Sequence, residues 1–178
     1  MTAAIRPLTM EDVPELTEVL IGTRDYLAPW DPIRDESFYT LQGQRQVVAE
    51  LLRSGNALPH VILDDGRLAG RVNLNSVVRG PFQSASLGYW VAERHAGRGL
   101  ASFAVAEVLR LAFTDYELHR VEAGTLLHNV RSQRVLLKNG FQRFGTAPRY
   151  LKIAGEWQDH HLFQIVAENW LAAASPAS

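Results

Sequence analysis

The sequence predicts a mixed α/β fold, a sheet covered by helices on both faces, and three observations carry that prediction. Apolar positions switch between helical spacing and strand alternation along the chain, in the order strand, two helices, three strands, helix, strand, helix, two or three strands. Asp65-Gly66 sits between two apolar runs and signals a tight hairpin. A strand at Ala85 to Ala92 runs through a glycine-rich turn into a long helical pattern and then another strand, the layout of a right-handed crossover unit.

Each element follows from local chemistry. Ile5 to Leu8 reads as a first strand. Thr9 is placed to cap a helix, with Asp12 in its first turn near the positive dipole end. Val13, Leu16 and Leu20 follow at helical spacing, and Gly22 is expected to close the run. Thr23 to Thr40 reads as an irregular stretch rich in aromatics and prolines. A second helix is expected over Leu41 to Arg53, stopped by Ser54-Gly55-Asn56. Val61 to Leu63 and Leu68 to Val78 read as strands, with Gly70 a candidate bulge. Ala85 to Ala92, Arg120 to Leu127, Phe141 to Phe144, Tyr150 to Ile153 and His161 to Val166 complete the strands. Gly97 to Thr114 and Val130 to Lys138 read as helices, the latter ended by Asn139-Gly140. A short helix holds Trp170 and Leu171, and Ala172 to Ser178 reads as a frayed tail. No internal repeat or linker divides the sequence, so one domain over 1–178 is expected.

Composition narrows the function classes. There is no cysteine among 178 residues, which excludes a disulfide framework, a cysteine nucleophile and thiolate metal ligands. Net charge is −1, so nothing draws the whole molecule to nucleic acid or an anionic membrane. Met1 to Ile5 shows no basic region followed by an apolar run, and no apolar stretch approaches the roughly 20 residues of a membrane span. A cytoplasmic protein is the expectation. The six histidines show no ligand spacing. His160 and His161 are strand neighbours that point to opposite faces, so no metal site is expected.

The chemistry lies in two segments. In Leu87 to Ala101 a strand enters Arg94-His95-Ala96-Gly97-Arg98-Gly99, and then a helix starts. Glycines there permit a sharp turn and close backbone approach to a ligand. The N–H groups and dipole of the helix start favour an anion, and Arg94 and Arg98 can add charge-assisted bonds to phosphate. A turn with no ligand fits the same residues. It is neither a P-loop, lacking Gly-Lys-Ser/Thr, nor the dinucleotide fingerprint, lacking the third glycine. In the second segment, His128 to Phe141, Asn129 and Ser132 stand three apart at a helix start and can face one side. Asn129 can equally be an N-cap.

Together these segments resemble the GCN5-related N-acetyltransferases. Three further stretches, Tyr26 to Pro32, Asn75 to Phe82 and Tyr150 to His160, resemble the branch that acetylates the N-terminal alanine of ribosomal proteins. The resemblance implies a central, twisted, mostly antiparallel sheet in which one parallel pair splays apart to admit acetyl-CoA. It implies backbone contacts from Trp90 and Val91 to the pantetheine and acetyl group. Pyrophosphate contacts would come from Arg94, His95, Ala96, Gly97, Arg98, Gly99, Leu100 and Ala101. Asn129 would touch the pantetheine arm, and Ser132 would lie near the sulfur, placed to protonate the leaving thiolate. An α-amine titrates near roughly 8, so a carboxylate acting through water suffices as base. The N–H of Val91 is a candidate to stabilise the oxyanion. Ser132, Tyr150 and Glu93 are the catalytic candidates; for Glu93 simple solvation is the favoured account. Some relatives carry a carboxylate just before the matched tyrosine, and here that position is Arg149. Asp159 and His160 either take part or only pin the last hairpin.

For the acceptor, the candidates are Tyr26, Trp30, Arg34, Tyr39, Asn75 and Tyr150, with Trp30 expected to be packed and the others nearer the substrate. The expected partner is a protein N-terminus, that of a ribosomal protein, with alanine or serine first. An acetyltransferase for a small amine and a non-catalytic acyl-CoA-binding or ribosome-assembly module are the alternatives. The resemblance is compatible with a monomer or a homodimer.

Overall fold

The computed structural model describes residues 2–174. Seven strands form one sheet in the order β1-β2-β3-β4-β5-β7-β6. They are β1 (Ala3–Pro7), β2 (Leu58–Asp64), β3 (Arg67–Val78), β4 (Ser84–Val91), β5 (Arg120–Leu126), β6 (Gln142–Ile153) and β7 (Glu156–Val166). The helices are α1 (Val13–Leu27), α2 (Leu41–Arg53), α3 (Leu100–Thr114), α4 (Val130–Lys138) and α5 (Ala167–Ala174). Every strand pair is antiparallel except β4 with β5.

The sheet has two unlike faces. On one, Val105, Val108, Leu109 and Ala112 of α3 and Leu136 of α4 pack on Val72, Leu74, Val121, Phe163 and Ile165. On the other, Val13, Leu16 and Leu20 of α1 and Val48 of α2 pack on Val61 and Leu68, with Trp90 at the margin. Both clusters are continuous apolar layers, the arrangement that lets a sheet bury both its surfaces.

Three sequence expectations change and one is refined. Gly22 does not stop α1, which continues to Leu27. A lone glycine lowers helix propensity without breaking the hydrogen-bond ladder. Part of the stretch after Gly22 is therefore helix. The two late strands around Phe141 and Tyr150 are one strand, β6, whose register against β7 shifts between Ala147 and Leu151. The irregularity expected at Gly70 lies beside it on β3: Ile62 pairs with Gly70 and Leu63 with Leu68, which leaves Ala69 as the extra residue. What Gly70 allows is close approach, since a Cβ there would stand 2.1 Å from the Trp90 carbonyl oxygen. Residues 172–174 extend α5 instead of fraying, and 175–178 lie outside the described residues.

Candidate active site

The site is an opening in the sheet. β4 pairs with β5 only at Ser84↔Arg120, Ala85↔Val121 and Ser86↔Glu122. Beyond Ser86, β4 stays paired to β3 as far as Val91, while β5 turns to β7 and is paired with it to Leu126. The backbone edge of residues 87–91 that faces β5 therefore has no ladder partner. A wedge of unpaired N–H and C=O groups is thus exposed in the middle of a sheet, where such groups are otherwise paired.

Side-chain alternation divides the residues at the wedge between the two faces. Leu87, Tyr89 and Val91 of β4, with Ala123 and Thr125 of β5, face α3 and α4. Trp90, Gly88 and Ser86, with Glu122 and Gly124, face the α1/α2 side, together with Arg71, Asn73 and Asn75 of β3.

On the α3/α4 side the glycine-rich turn leads into α3. Gly97 and Gly99 have φ of 75° and 82°, left-handed values that favour glycine. Gly99 is the N-cap of α3 and offers no side chain to cap it. The first N–H groups of α3 have no intrahelical acceptor, and a Cβ at either glycine would meet nothing within 4 Å. These features fit an anionic group seated over the turn. The charged side chains of the turn are tied to the sheet. Asp64, at the end of β2 and almost fully buried, takes an ion pair from Arg98 and a 2.8 Å hydrogen bond from Nδ1 of His95. Arg94 Nε lies 3.0 Å from His95 Nε2, so His95 donates through Nδ1 and accepts through Nε2. This chain fixes the turn to the sheet, and the N–H groups at the start of α3 remain without an intrahelical acceptor. The side chain of Glu93 is exposed, and its N–H donates to Thr23 Oγ1 at 3.0 Å.

Asn129 is the N-cap of α4, its Oδ1 accepting from the N–H of Ser132 at 3.1 Å. Ser132 Oγ lies 2.8 Å from the hydroxyl of Tyr89, which reaches across from β4. Burial pushes the Tyr89 phenol up to about 12, partly offset by its bond to Ser132, so it stays protonated. Sequence reasoning missed Tyr89, although its position was readable: it alternates with Trp90 and so must face α4. Thr125 Oγ1, on this same face, is buried without a hydrogen-bond partner.

The α1/α2 side has a bare floor. A Cβ on Gly88 would come 3.2 Å from Nδ2 of Asn75, and one on Gly124 would come 3.7 Å from Cε1 of Tyr150. Asn75 and Tyr150 thus reach over the two glycines that flank the wedge. Tyr150 is placed by the irregular stretch of β6: Arg149 has φ of 49°, and its N–H donates to Asp159 Oδ1 at 2.8 Å. The ring of Tyr150 then lies 5.6 Å from that of His160, which is buried and bonded to the Gln158 carbonyl. Asp159 clamps the hairpin, and Arg149 contributes its backbone.

The segment between α1 and α2 arches over this face. The N–H of Ala154, in the β6–β7 turn, donates to the Asp31 carbonyl at 2.9 Å, and Ile33 abuts Gly155. Trp30 is not packed as expected. It is 36% exposed, with its ring 5.5 Å from His128, because the arch runs across the α4 N-terminus outside the apolar layer. Tyr26 Oη accepts from Arg131 at 3.4 Å. Tyr39 and Arg34 stand apart from the wedge. Arg24 lies 4.1 Å over the Tyr39 ring and Arg34 4.9 Å over Phe38. Arg34 and Tyr39 line a cavity of about 300 Å³ with Leu20, Asp25 and the arch residues Asp31 and Ile33, and no residue of β4, β5 or α4 enters it. Among the described residues no group of histidines and carboxylates is placed to hold a metal ion, and no helix is long and apolar enough to cross a membrane.

Known proteins share this fold. Residues 3–142 match the family described as acetyltransferase (GNAT) domain. The chain is 36% identical over 170 residues to a probable N-acetyltransferase of Bacillus subtilis, covering 93% of this chain and 94% of the relative. It is 31% identical over 171 residues to the ribosomal protein uS5-alanine N-acetyltransferase of Escherichia coli, covering 93% and 88%. Among solved structures, RimJ of Mycobacterium smegmatis in complex with CoA-disulfide superposes with a TM-score of 0.88 at 32% identity, covering 97% of this chain and 89% of that one. A spermidine N-acetyltransferase of Vibrio cholerae has the same fold at 20% identity, with a TM-score of 0.82 and 95% and 98% covered.

Proposed function

The chain belongs to the GNAT N-acetyltransferases and uses acetyl-CoA, and from that premise we propose that its acceptor is the α-amine of a protein N-terminus beginning with alanine or serine, that of a ribosomal protein. One observation carries the choice of acceptor: the character of the α1/α2 side of the wedge. Its floor is two glycines, and its rim is apolar and open, with Trp30, Ile33 and Tyr150 exposed at 36%, 77% and 48%. A chain end can enter there with its first residue over the glycines and the rest running out to solvent. The only carboxylate on the floor strands over this stretch, Glu122, is held by Arg120 at 2.6 Å. A polyamine is held through charge-assisted bonds to carboxylates, and Asp25 and Asp31, the acidic groups nearest the arch, line a cavity that also holds the cations Arg24 and Arg34. The relative named for uS5-alanine acetylation agrees with this reading.

Acetyl-CoA, when bound, supplies an activated thioester. The unpaired edge of residues 87–91 would hold the pantetheine, with Trp90 and Val91 nearest the acetyl group, and the turn from Arg94 to Ala101 would hold the pyrophosphate through the α3 N-terminus. Asn129 keeps Ser132 at the start of α4. Ser132, bonded to the protonated Tyr89, is positioned to pass a proton to a departing thiolate, with Tyr89 replenishing it. On the opposite side Asn75 and Tyr150 would orient the amine. Exposed Glu93 has no part in this arrangement.

The test is a thiol-release assay with acetyl-CoA, a library of short peptides with free N-termini, and a set of small amines. Turnover concentrated on Ala- and Ser-starting peptides is expected. Turnover on small amines alone would transfer the acceptor to that class. Silence on both with acetyl-CoA binding intact would support a non-catalytic role. In the same assay Ser132→Ala and Tyr89→Phe should each lower kcat, on the order of 100-fold for a lost proton donor. The double variant should be little worse than either single, since the two hydroxyls act as one unit.

A further inference from the structure

The α1/α2 face of the sheet carries a charge with no counter-charge. Arg71 lies on β3 opposite Trp90 of β4 and Val61 of β2, so it points to the side the arch covers. It is 9% exposed. Its Nε is buried with no hydrogen-bond partner, and none of the ion pairs among the described residues includes it. Its contact is the side-chain oxygen of Asn73, 2.9 Å from Nη2 once the Asn73 amide is oriented to satisfy both its ends. The guanidinium is therefore aimed along β3 toward Asn73 and Asn75, the side of Gly88 and the wedge. Burial alone lowers its pKa, to about 10, so it remains a cation at neutral pH.

A buried guanidinium without a carboxylate is rare because desolvation of the ion is uncompensated. Here the cost is placed one strand away from the floor of the acceptor site. Residues diagonal across neighbouring strands, as Arg71 and Gly88 are, lie about 7–8 Å apart, within reach of the residue that follows a reacting amine. We infer that Arg71 is a carboxylate-recognition site for the acceptor, and that the enzyme prefers acceptors carrying a carboxylate beside the reacting amine. This rests on the reading that the acceptor enters over Gly88 and Gly124. A planar guanidinium with free donors pairs with a carboxylate in bidentate fashion. The same chemistry can come from an acidic side chain at the second position of a peptide or from the free carboxylate of a very short one.

The experiment compares matched acceptors that differ in one charge. Ala-Glu- is set against Ala-Gln- at the head of the same peptide, and the dipeptide Ala-Ala against its C-terminal amide. Wild-type protein should favour the carboxylated member of at least one pair by about tenfold in KM, the scale of one charge-assisted hydrogen bond, with kcat little changed. The pair that responds identifies the source of the carboxylate. Arg71→Met should bring the two members of that pair to parity, leave the KM for acetyl-CoA unchanged, and raise Tm, because it removes an unpaired buried charge. Arg71→Lys should retain part of the preference. Wild-type parity in both pairs overturns the inference. So does a folded Arg71→Met variant that keeps the wild-type preference, which would place the carboxylate's partner elsewhere. If no peptide is acetylated, the reading of a protein N-terminus fails separately. The N-acetylated forms of the same pairs are then titrated calorimetrically onto CoA-loaded protein, where equal or absent binding overturns the carboxylate site as well.

Discussion

The two faces of the sheet at the wedge are built on opposite principles. On the α3/α4 face the chemistry is carried by short contiguous segments: a turn with two left-handed glycines, a helix N-terminus, and an N-cap three residues before a serine. Its polar groups are mostly tied to one another, as in the Arg94–His95–Asp64–Arg98 chain and the Tyr89–Ser132 pair. On the α1/α2 face the site is assembled from single residues of four strands and a loop, and one of them, Arg71, is left without an ionic partner. A donor common to a whole family needs a fixed, satisfied cradle. Acceptor choice can reside in a few unsatisfied groups whose cost binding offsets, the usual exchange of stability for function.

Filling the floor should separate the faces most sharply. A Cβ at Gly124 would meet only ordinary contacts, at 3.6 Å or more, so Gly124→Ala should fold, and Gly124→Leu would drive a side chain into the space under Tyr150. For Gly124→Leu we expect kcat/KM to fall on the order of 100-fold, as for an acceptor displaced by about an ångström, with calorimetric CoA affinity unchanged. Equal loss of CoA affinity would mean that the faces are not independent.

The opposite change acts on the cradle. Gly99→Ala places a Cβ at φ of 82°, which costs about 1–2 kcal/mol, and it displaces the start of α3. Acetyl-CoA KM should rise while peptide KM stays. A rise in peptide KM alone would break the comparison. A smaller effect is expected from Asp159→Ala, which frees the Arg149 N–H and lets β6 relax around Tyr150. We expect kcat to drop roughly tenfold, about the value of one hydrogen bond to a charged group, and Tyr150→Phe to be no worse in that background than alone.

The same contrast explains what the sequence disclosed. The fold class, six of the strand positions and the α2 and α4 boundaries follow from periodicity and from stops such as Ser54-Gly55-Asn56 and Asn139-Gly140. The cradle is legible because its residues are adjacent in sequence. The α1/α2 face is not, because Arg71, Gly88, Gly124 and Tyr150 meet only through strand register, and register is a tertiary property. Gly22 misled because a glycine inside a helix and one at its end look alike locally. Asn75 and Tyr150 do reach the floor. Arg34 and Tyr39 contact Phe38 and Arg24 and line the cavity behind Asp31 and Ile33 of the arch.

The weakest expected effect concerns a region away from both faces of the wedge and serves as its control. His60 on β2 is 1% exposed, with Nδ1 3.1 Å from the Leu58 carbonyl and Nε2 3.1 Å from the Tyr116 hydroxyl. Burial lowers its pKa below the ordinary 6.5, so the folded protein favours the neutral ring. The unfolded chain takes up a proton near 6.5 that the folded chain resists. Its contribution to stability is complete above that pH and is lost as pH falls toward the folded value, by at most about 1.4 kcal/mol per pH unit for one proton. Urea midpoints measured between pH 7.5 and 5.5 should decline, and His60→Gln should flatten the decline without changing kcat/KM at pH 7.5. An unchanged slope in the variant would assign the decline to other groups. A changed kcat/KM would mean that this distant cluster is coupled to the wedge through β2, whose last residue, Asp64, holds the glycine turn.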